Sequence, residues 1–372
     1  MRFILLGFFL RLLVAIWNGF FGPSMGAEDD ALLFHLMAAG EYGDLESAKF
    51  RYGWIYSVFL SYFYAFTVPS LFLGSLLSCF AWLISAIFFD KSLRLLSVKT
   101  KDRKIALLFY ALIPTSILFT SVTLREVYQL LFLNIAIYSS LKIFLSNSNY
   151  HWLILFISCA LMSSLHIGFL VFSFILILTM IYFNSGKRSK GFPIERILFS
   201  FPILTVMGVY GYSSFESLGA MGGADYNFSD GILVVVESYQ GSQYQTRAMY
   251  SYKPQLDSLL DFLLFVPVSL GQYLFEPMPW RISTFFDLFL FLENFVRGLL
   301  IIIMLRHYFN LDSSIQKKAL LLIVLMYFAL ETLFAFGTVN WGTAARHHVP
   351  GLGILLMGAF FPTESRINNI KG

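Results

Sequence analysis

Residues 3–21 read FILLGFFLRLLVAIWNGFF, and the chain continues from residue 22 as GPSMGAEDD, ending at Asp30. The first stretch is long enough to cross a bilayer, because a helix needs ~20 apolar residues to span the ~30 Å hydrocarbon core. It contains Arg11, exceeds the apolar core of a signal peptide and lacks a small-residue cleavage site, so we interpret it as a retained first span. The carboxylates of Glu28, Asp29 and Asp30 therefore follow directly on a predicted span, at a membrane boundary.

Composition extends this interpretation to the whole chain. Of its 372 residues, 58% are hydrophobic and 13% are charged, and the mean hydropathy is +0.71. Further apolar runs of near-spanning length follow the first, which predicts an all-α polytopic membrane protein and excludes a soluble globule. We expect residues 1–372 to form a single membrane domain. The net charge of +4 is explained by topology, so no nucleic-acid partner is expected.

Apolar windows predict about ten transmembrane helices, with both chain ends in the cytoplasm. They fall at residues 3–21, 70–89, 105–122, 127–145, 152–165, 167–183, 196–212, 284–305, 319–336 and 350–361.

Charge bias decides one ambiguous apolar run, at residues 54–67. If that run crossed the membrane, the basic loop at residues 91–104 would lie outside, against the positive-inside rule. We therefore predict a juxtamembrane helix on the outer face. Two long outer loops result, at residues 22–69 and 213–283, and the second contains another apolar run at residues 259–275. Loops of this size on a compact protein are usually functional.

The polar residues that could carry chemistry face the predicted outer side. Carboxylates come from Glu28, Asp29 and Asp30, while Arg51, Arg125 and Arg346 with His347 supply cationic and imidazole groups. A carboxylate can accept the proton of a hydroxyl nucleophile, and arginine can hold a phosphate through paired hydrogen bonds. The pattern is typical of a reaction between a hydroxyl and a phosphate-bearing leaving group.

Structural roles compete with these functional ones. The three acids would also complement the dipole of a helix over residues 31–38. Arg125 and Glu126 would also serve as an interfacial pair before the fourth span. No second ligand cluster has metal spacing, so we predict no metal site, with a divalent cation as the weaker alternative.

Several other residues are expected to have structural roles only. Glu293 and Arg297, spaced i, i+4 in one span, are expected to neutralise each other. Arg11 is expected to pair inside the bundle, and His166 to be a polar residue of an outer turn. Both cysteines, Cys79 and Cys159, fall in predicted spans, which argues against a disulfide.

Four short stretches resemble the GT-C type integral membrane glycosyltransferases, the superfamily of protein mannosyltransferases and aminoarabinose transferases. Residues 29–38, DDALLFHLMA, are similar to the acid-acid, aromatic, alanine pattern that follows the first span in that group, and the helix at residues 52–66 is similar to its juxtamembrane helix. Residues 114–126 and 345–350 resemble its proline-led start of the fourth span and its late arginine-proline motif. The late motif has His347 where many relatives carry tyrosine.

The resemblance implies an enzyme of the bacterial inner membrane whose site faces the periplasm. It would move a sugar from a polyprenyl-phosphate donor to a glycan or lipid acceptor, in cell-envelope polysaccharide synthesis. Asp30, favoured over Asp29 and Glu28, would be the general base, giving inversion. Arg346, with His347 and with Arg125 or Arg51, would stabilise the departing phosphate.

Two other functions remain open. A repeat-unit polymerase of O-antigen or capsule type joins two lipid-linked glycans and would depend on arginines rather than on Asp30. A transporter or flippase would show paired broken helices or acids at mid-membrane depth in two halves, and only Glu293, Arg297 and Glu331 hint at that.

Overall fold

A computed structural model describes residues 2–22, 28–41, 54–185, 247–252, 258–312 and 314–363, and these are almost entirely helical with no β-strand. The helices, numbered in chain order among the described residues, are α1 Arg2–Phe20, α2 Glu28–Ala39, α3 Trp54–Ala65, α4 Leu71–Leu95, α5 Thr100–Leu112, α6 Pro114–Phe119, α7 Glu126–Ser146, α8 Tyr150–Leu165, α9 Ile167–Ser185, α10 Leu259–Phe275, α11 Phe285–Phe309, α12 Ser314–Phe336 and α13 Trp341–Ala359.

Among the described residues, six helices are long and apolar enough to cross a membrane, namely α1, α4, α7, α9, α11 and α12. Helix α7 lies at the centre of the bundle, since more of it is buried than of the other five, and it packs against α4, α8 and α13. The chain is therefore an all-helical polytopic membrane protein. The predicted span at residues 196–212 lies outside the described residues.

The predicted third span, residues 105–122, is wrong as one continuous helix. It breaks at Ile113, whose ψ of 121° is extended, as expected for a residue before proline. Thr115 N–H, which would donate to the Ala111 carbonyl in a continuous helix, instead donates to Glu293 at 3.0 Å. The Ala111 carbonyl accepts from Arg11 at 2.9 Å. The buried Arg11 and the partly buried Glu293 thus satisfy the backbone groups that the break exposes.

Arg11 forms its contacts inside the bundle, as expected. It is fully buried, donates to the Thr120 hydroxyl at 2.7 Å, and lies 3.7 Å from the centroid of the Trp82 ring. Glu293 and Arg297 interact electrostatically, as expected from their spacing, but not through a direct ion pair. The Glu293 carboxylate accepts from the Thr115 backbone and hydroxyl, at 3.0 and 2.6 Å, and no ion pair joins it to Arg297 within the described part of the chain.

The predicted last span, residues 350–361, is wrong in its starting point. Helix α13 begins at Trp341, because Asn340 caps it by accepting from the Thr343 N–H at 2.7 Å. Pro350 lies inside this helix and cannot donate to the Arg346 carbonyl. Arg346 and His347 therefore project from a rigid helix and not from a loop.

The predicted juxtamembrane helix at residues 54–67 is confirmed as a helix, α3, which is too short to cross the membrane. The apolar run at residues 259–275 also forms a helix, α10. Cys79 and Cys159 are both free and buried. The placement of α3 and α10 on the outer face remains a prediction.

Candidate functional site

Asp30 and Arg346 form an ion pair that joins α2 to α13. Asp30 lies in the first turn of α2 and Arg346 in the second turn of α13. Their side chains differ in exposure, at 42% for Asp30 and 15% for Arg346. The carboxylate is thus accessible from solvent, while the guanidinium lies deeper, where the lower dielectric strengthens its interaction with an anion.

The start of α7 supplies a second cation and a second acid. Arg125 donates from Nη1 to the Leu165 carbonyl at 3.2 Å, and its guanidinium lies 5.8 Å from the centroid of the Phe34 ring, one turn beyond Asp30. Glu126 is 2% exposed, and its Oε2 has no hydrogen-bond partner among the described residues. This carboxylate interacts electrostatically with Arg346. Arg346 therefore interacts with two acids, one half-exposed and one buried.

Gln129 is a polar residue of this region that sequence reasoning missed. It is 1% exposed, it follows Glu126 at i+3 on the same side of α7, and neither atom of its amide has a hydrogen-bond partner in the described part of the chain. A buried amide left without partners costs about 1–3 kcal/mol for each group. Such a side chain can both donate to and accept from a ligand hydroxyl.

Two imidazoles lie behind the arginines. The ring centroids of His166 and His347 are 5.7 Å apart, His347 Nδ1 bonds the Thr338 hydroxyl at 2.8 Å, and the His347 ring stacks on Phe334 at 4.8 Å. Burial, then the neighbouring Arg125 and Arg346, hold the pKa of His166 well below its usual value. His166 is therefore neutral at physiological pH. The sequence placed it correctly at a turn but gave no sign of its contact with His347.

The remaining predicted residues divide into three groups. Glu28 and Asp29 begin α2 together with Asp30, so the acids belong to the helix rather than preceding it, but their side chains lie outside what the structure describes. Arg51 lies outside the described residues altogether. His348 points to a different partner, accepting or donating a hydrogen bond with Glu331 at 2.8 Å.

Within the described ranges, no group of three or more His, Cys, Asp or Glu side chains is arranged to hold a metal ion. The site consists of two guanidinium groups, two carboxylates, one free amide and a pair of imidazoles. It combines a proton acceptor, at Asp30, with groups that bind an oxyanion, at Arg346 and Arg125.

Fold and site together define an integral membrane protein with a charged site built between its helices. Comparison with protein-family models, with curated proteins and with solved structures found no match to this chain.

Proposed function

We propose that this protein is a membrane glycosyltransferase that moves a sugar from a polyprenyl-phosphate donor to a hydroxyl acceptor at the outer face of a bacterial inner membrane. The ion pair between Asp30 and Arg346 is the observation that carries the proposal. It puts a half-exposed carboxylate in direct contact with a largely buried guanidinium. Transfer of a sugar from a phosphate leaving group to an alcohol requires these two groups, a proton acceptor and a cation that binds the phosphate.

Donor binding has a direct consequence for the carboxylate. A phosphate that binds Arg346 competes with Asp30 for the same guanidinium donors, and bidentate binding of phosphate favours the exchange. The released Asp30 carboxylate regains free lone pairs next to the bound donor. The donor thus frees the base that the reaction needs.

The chemical step then balances as follows. The acceptor oxygen bonds to the anomeric carbon while its proton passes to Asp30, and the bond between that carbon and the phosphate oxygen breaks. The bonding electrons leave with the phosphate, whose added charge Arg346 and Arg125 stabilise. Attack opposite the leaving group inverts the anomeric carbon.

The two imidazoles behind the arginines, of His166 and His347, suit a phosphate-binding site. His166 is neutral because of its burial and of the two arginines, so it adds no competing positive charge. His347 is fixed by the Thr338 hydroxyl and by the Phe334 ring. Both rings therefore support the arginines without altering the charge that a phosphate meets.

The test is release of polyprenyl phosphate by the purified protein, supplied with a panel of polyprenyl-phosphate hexoses and candidate acceptors. The proposal expects release with at least one sugar and dependence on an acceptor. Absence of release with every donor, in protein that retains its fold and binds polyprenyl phosphate, would contradict it.

Outward orientation needs its own measurement. Cysteine in place of Tyr62 or Leu263, both exposed side chains, is expected to react with a membrane-impermeant thiol reagent from outside. Cysteine in place of Lys99, in the basic loop, is expected to react only after permeabilisation. The native cysteines are buried and should give little background. Labelling of residue 99 from outside would reverse the topology.

A further inference from the structure

A second polar cluster lies among α10, α11, α12 and α13, on another side of α13 from the site above. Its core is three tyrosine hydroxyls, of Tyr250, Tyr273 and Tyr327, whose residues are 8%, 0% and 1% exposed. None of the three hydroxyls has a hydrogen-bond partner among the described residues. A buried hydroxyl without a partner costs about 1–3 kcal/mol, so three in one place indicate a missing partner.

Arg297 on α11 connects the three tyrosines. Its guanidinium interacts electrostatically with Tyr250, Tyr273 and Tyr327. It donates a hydrogen bond to Asn294, whose amide in turn donates to the Glu276 carbonyl at 2.7 Å, three residues after Tyr273. No carboxylate forms an ion pair with Arg297 within the described ranges.

The one carboxylate that faces this cluster from α12, Glu331, is already neutralised. Its Oε2 is 2.8 Å from His348 Nδ1, and His348 Nε2 is 3.0 Å from the Tyr273 carbonyl. A carbonyl only accepts, so Nε2 carries a proton, and the contact between Nδ1 and Oε2 requires another. The pair of Glu331 and His348 therefore has no net charge, whichever atom holds the shared proton.

The remaining acids near Arg297 are also engaged. Glu293, one turn before it on α11, interacts electrostatically with Arg297 but takes its hydrogen bonds from Thr115, and Glu276 accepts from Arg281 at 3.1 Å. The cluster thus offers a guanidinium and three hydroxyl donors that no neighbouring side chain uses fully. A donor-rich site with a positive charge is complementary to an oxyanion.

Tyr250 also lines a small cavity, together with Ser269, Gln272 and Thr338. The Tyr250 backbone is anchored to the start of α13, since its N–H donates to the Val339 carbonyl at 2.9 Å. Tyr250 therefore belongs to both the cavity and the cluster.

This cluster is separate from the site at Asp30. His348 and Arg346 are two residues apart on α13, which sets their side chains about 200° apart around a helix of 3.6 residues per turn. Arg346 contacts Asp30 of α2, whereas His348 contacts Glu331 of α12 and the Tyr273 carbonyl.

We propose that Arg297, Tyr250, Tyr273 and Tyr327 form a second oxyanion site, which binds the phosphate of a phosphate ester. This part of the inference rests on the proposed glycosyltransferase function: the second site would hold the phosphate of a lipid-linked acceptor, so that donor and acceptor are both lipid-linked. That is the arrangement of the repeat-unit polymerase alternative. The binding site itself depends only on the contacts above.

Native mass spectrometry of the detergent-solubilised full-length protein tests the site by counting bound polyprenyl phosphate. Wild type is expected to bind two molecules, and a variant with Tyr250→Phe, Tyr273→Phe and Tyr327→Phe to bind one. Each hydroxyl lost should weaken the second binding event at least about tenfold. Polyprenol without phosphate should not occupy either site.

Controls separate this inference from the proposed function. Phenylalanine keeps the shape of tyrosine, and Tyr62→Phe with Tyr150→Phe, at exposed positions, gives the matched control. Arg346→Ala should also leave one bound lipid, at the tyrosine site. Loss of a lipid only in the triple variant would reject the phosphate site at Arg346 and support the site at the tyrosines. Loss of a lipid only in Arg346→Ala would reject the site at the tyrosines and support the phosphate site at Arg346.

Inorganic phosphate identifies the source of the oxyanion. The inference expects millimolar phosphate to displace the second lipid from wild type. If phosphate raises the thermal stability of wild type but no second lipid binds, the site binds free phosphate, and its assignment as an oxyanion site is supported. Equal lipid counts and equal phosphate protection in wild type and the triple variant would overturn the inference.

Discussion

Arg346 and Asp30 form an ion pair although 316 positions separate them in the chain. The pair connects the first turn of a helix near one end of the sequence to a helix near the other end. Breaking a charge pair that is partly buried is costly unless another anion takes its place. The contact therefore suits a site whose resting state is closed by its own carboxylate and opened by an anionic ligand.

Asp30→Asn is expected to tighten donor binding. The variant removes the carboxylate that competes with phosphate for Arg346, while asparagine keeps nearly the same shape. We expect the dissociation constant for a polyprenyl-phosphate sugar to fall by a factor of about 3 to 30, as measured by titration in detergent. Asp312→Asn, at an exposed position between α11 and α12, is the matched control and should leave binding unchanged. Weaker binding in Asp30→Asn alone would mean that Asp30 does not compete with the donor.

Arg346→Lys is expected to lower turnover by about tenfold or more, although it keeps the charge. A planar guanidinium holds a phosphate through two hydrogen bonds, and an ammonium group does not reproduce that geometry. Arg306→Lys, at an exposed position near the end of α11, is the control. Turnover equal to wild type in both Arg346→Lys and Arg346→Ala would remove Arg346 from the site.

Gly351→Ala is expected to destabilise the protein by about 1–3 kcal/mol, through overpacking. A Cβ at residue 351 would lie 2.4 Å from Glu331 Oε1 and would push the carboxyl group away from His348. Gly271→Ala in α10 meets no atom within 4 Å and should leave the thermal midpoint unchanged or raise it. Equal midpoints for Gly351→Ala and wild type would show that the Glu331 carboxyl is free to move.

His166 predicts how stability depends on pH. Folding lowers the pKa of His166 below its ordinary value of about 6.5. Below that pH, the imidazole is therefore protonated in the unfolded chain and stays neutral in the folded chain. The stability contributed by His166 is therefore complete above about pH 6.5 and falls as the pH drops below it, by at most ~1.4 kcal/mol per pH unit. His166→Gln should lose less stability than wild type between pH 6.5 and 5. Parallel curves would contradict the assigned burial of the neutral imidazole.

Much of the helical architecture follows from hydrophobic runs. The sequence correctly predicted spanning helices at α1, α4, α7, α9, α11 and α12, and it correctly predicted that α3 is helical. Composition detects these because a membrane helix must bury its backbone and present apolar side chains. Long-range polar contacts carry no such local signal.

Two errors show where local reasoning failed. The break at Ile113 depends on Glu293 and Arg11, which come from distant helices and satisfy the freed backbone groups. The early start of α13 depends on the Asn340 cap, since residues 341–348 are too polar to be recognised as part of a span. In each case a tertiary or capping interaction outweighed the hydropathy pattern.

The sequence predicts that Asp30, Arg125 and Arg346 share one site, but it does not predict that Asp30 and Arg346 form an ion pair. Glu126 was noted only as a partner of Arg125, and Gln129 was missed, because a single polar residue in an apolar helix looks the same whether it is structural or functional. The cluster around Arg297 was missed because its three tyrosines lie on different segments.

The role of Asp30 as general base is tested by single-turnover release of polyprenyl phosphate from a sugar donor in Asp30→Asn, compared with wild type and Asp312→Asn. We expect a rate about 10² to 10⁴ times slower in Asp30→Asn, with the donor still bound and the fold intact, because general-base assistance is lost. Asp312→Asn should match wild type. Turnover in Asp30→Asn within a factor of about three of wild type would exclude Asp30 as the base and leave it only as the structural partner of Arg346.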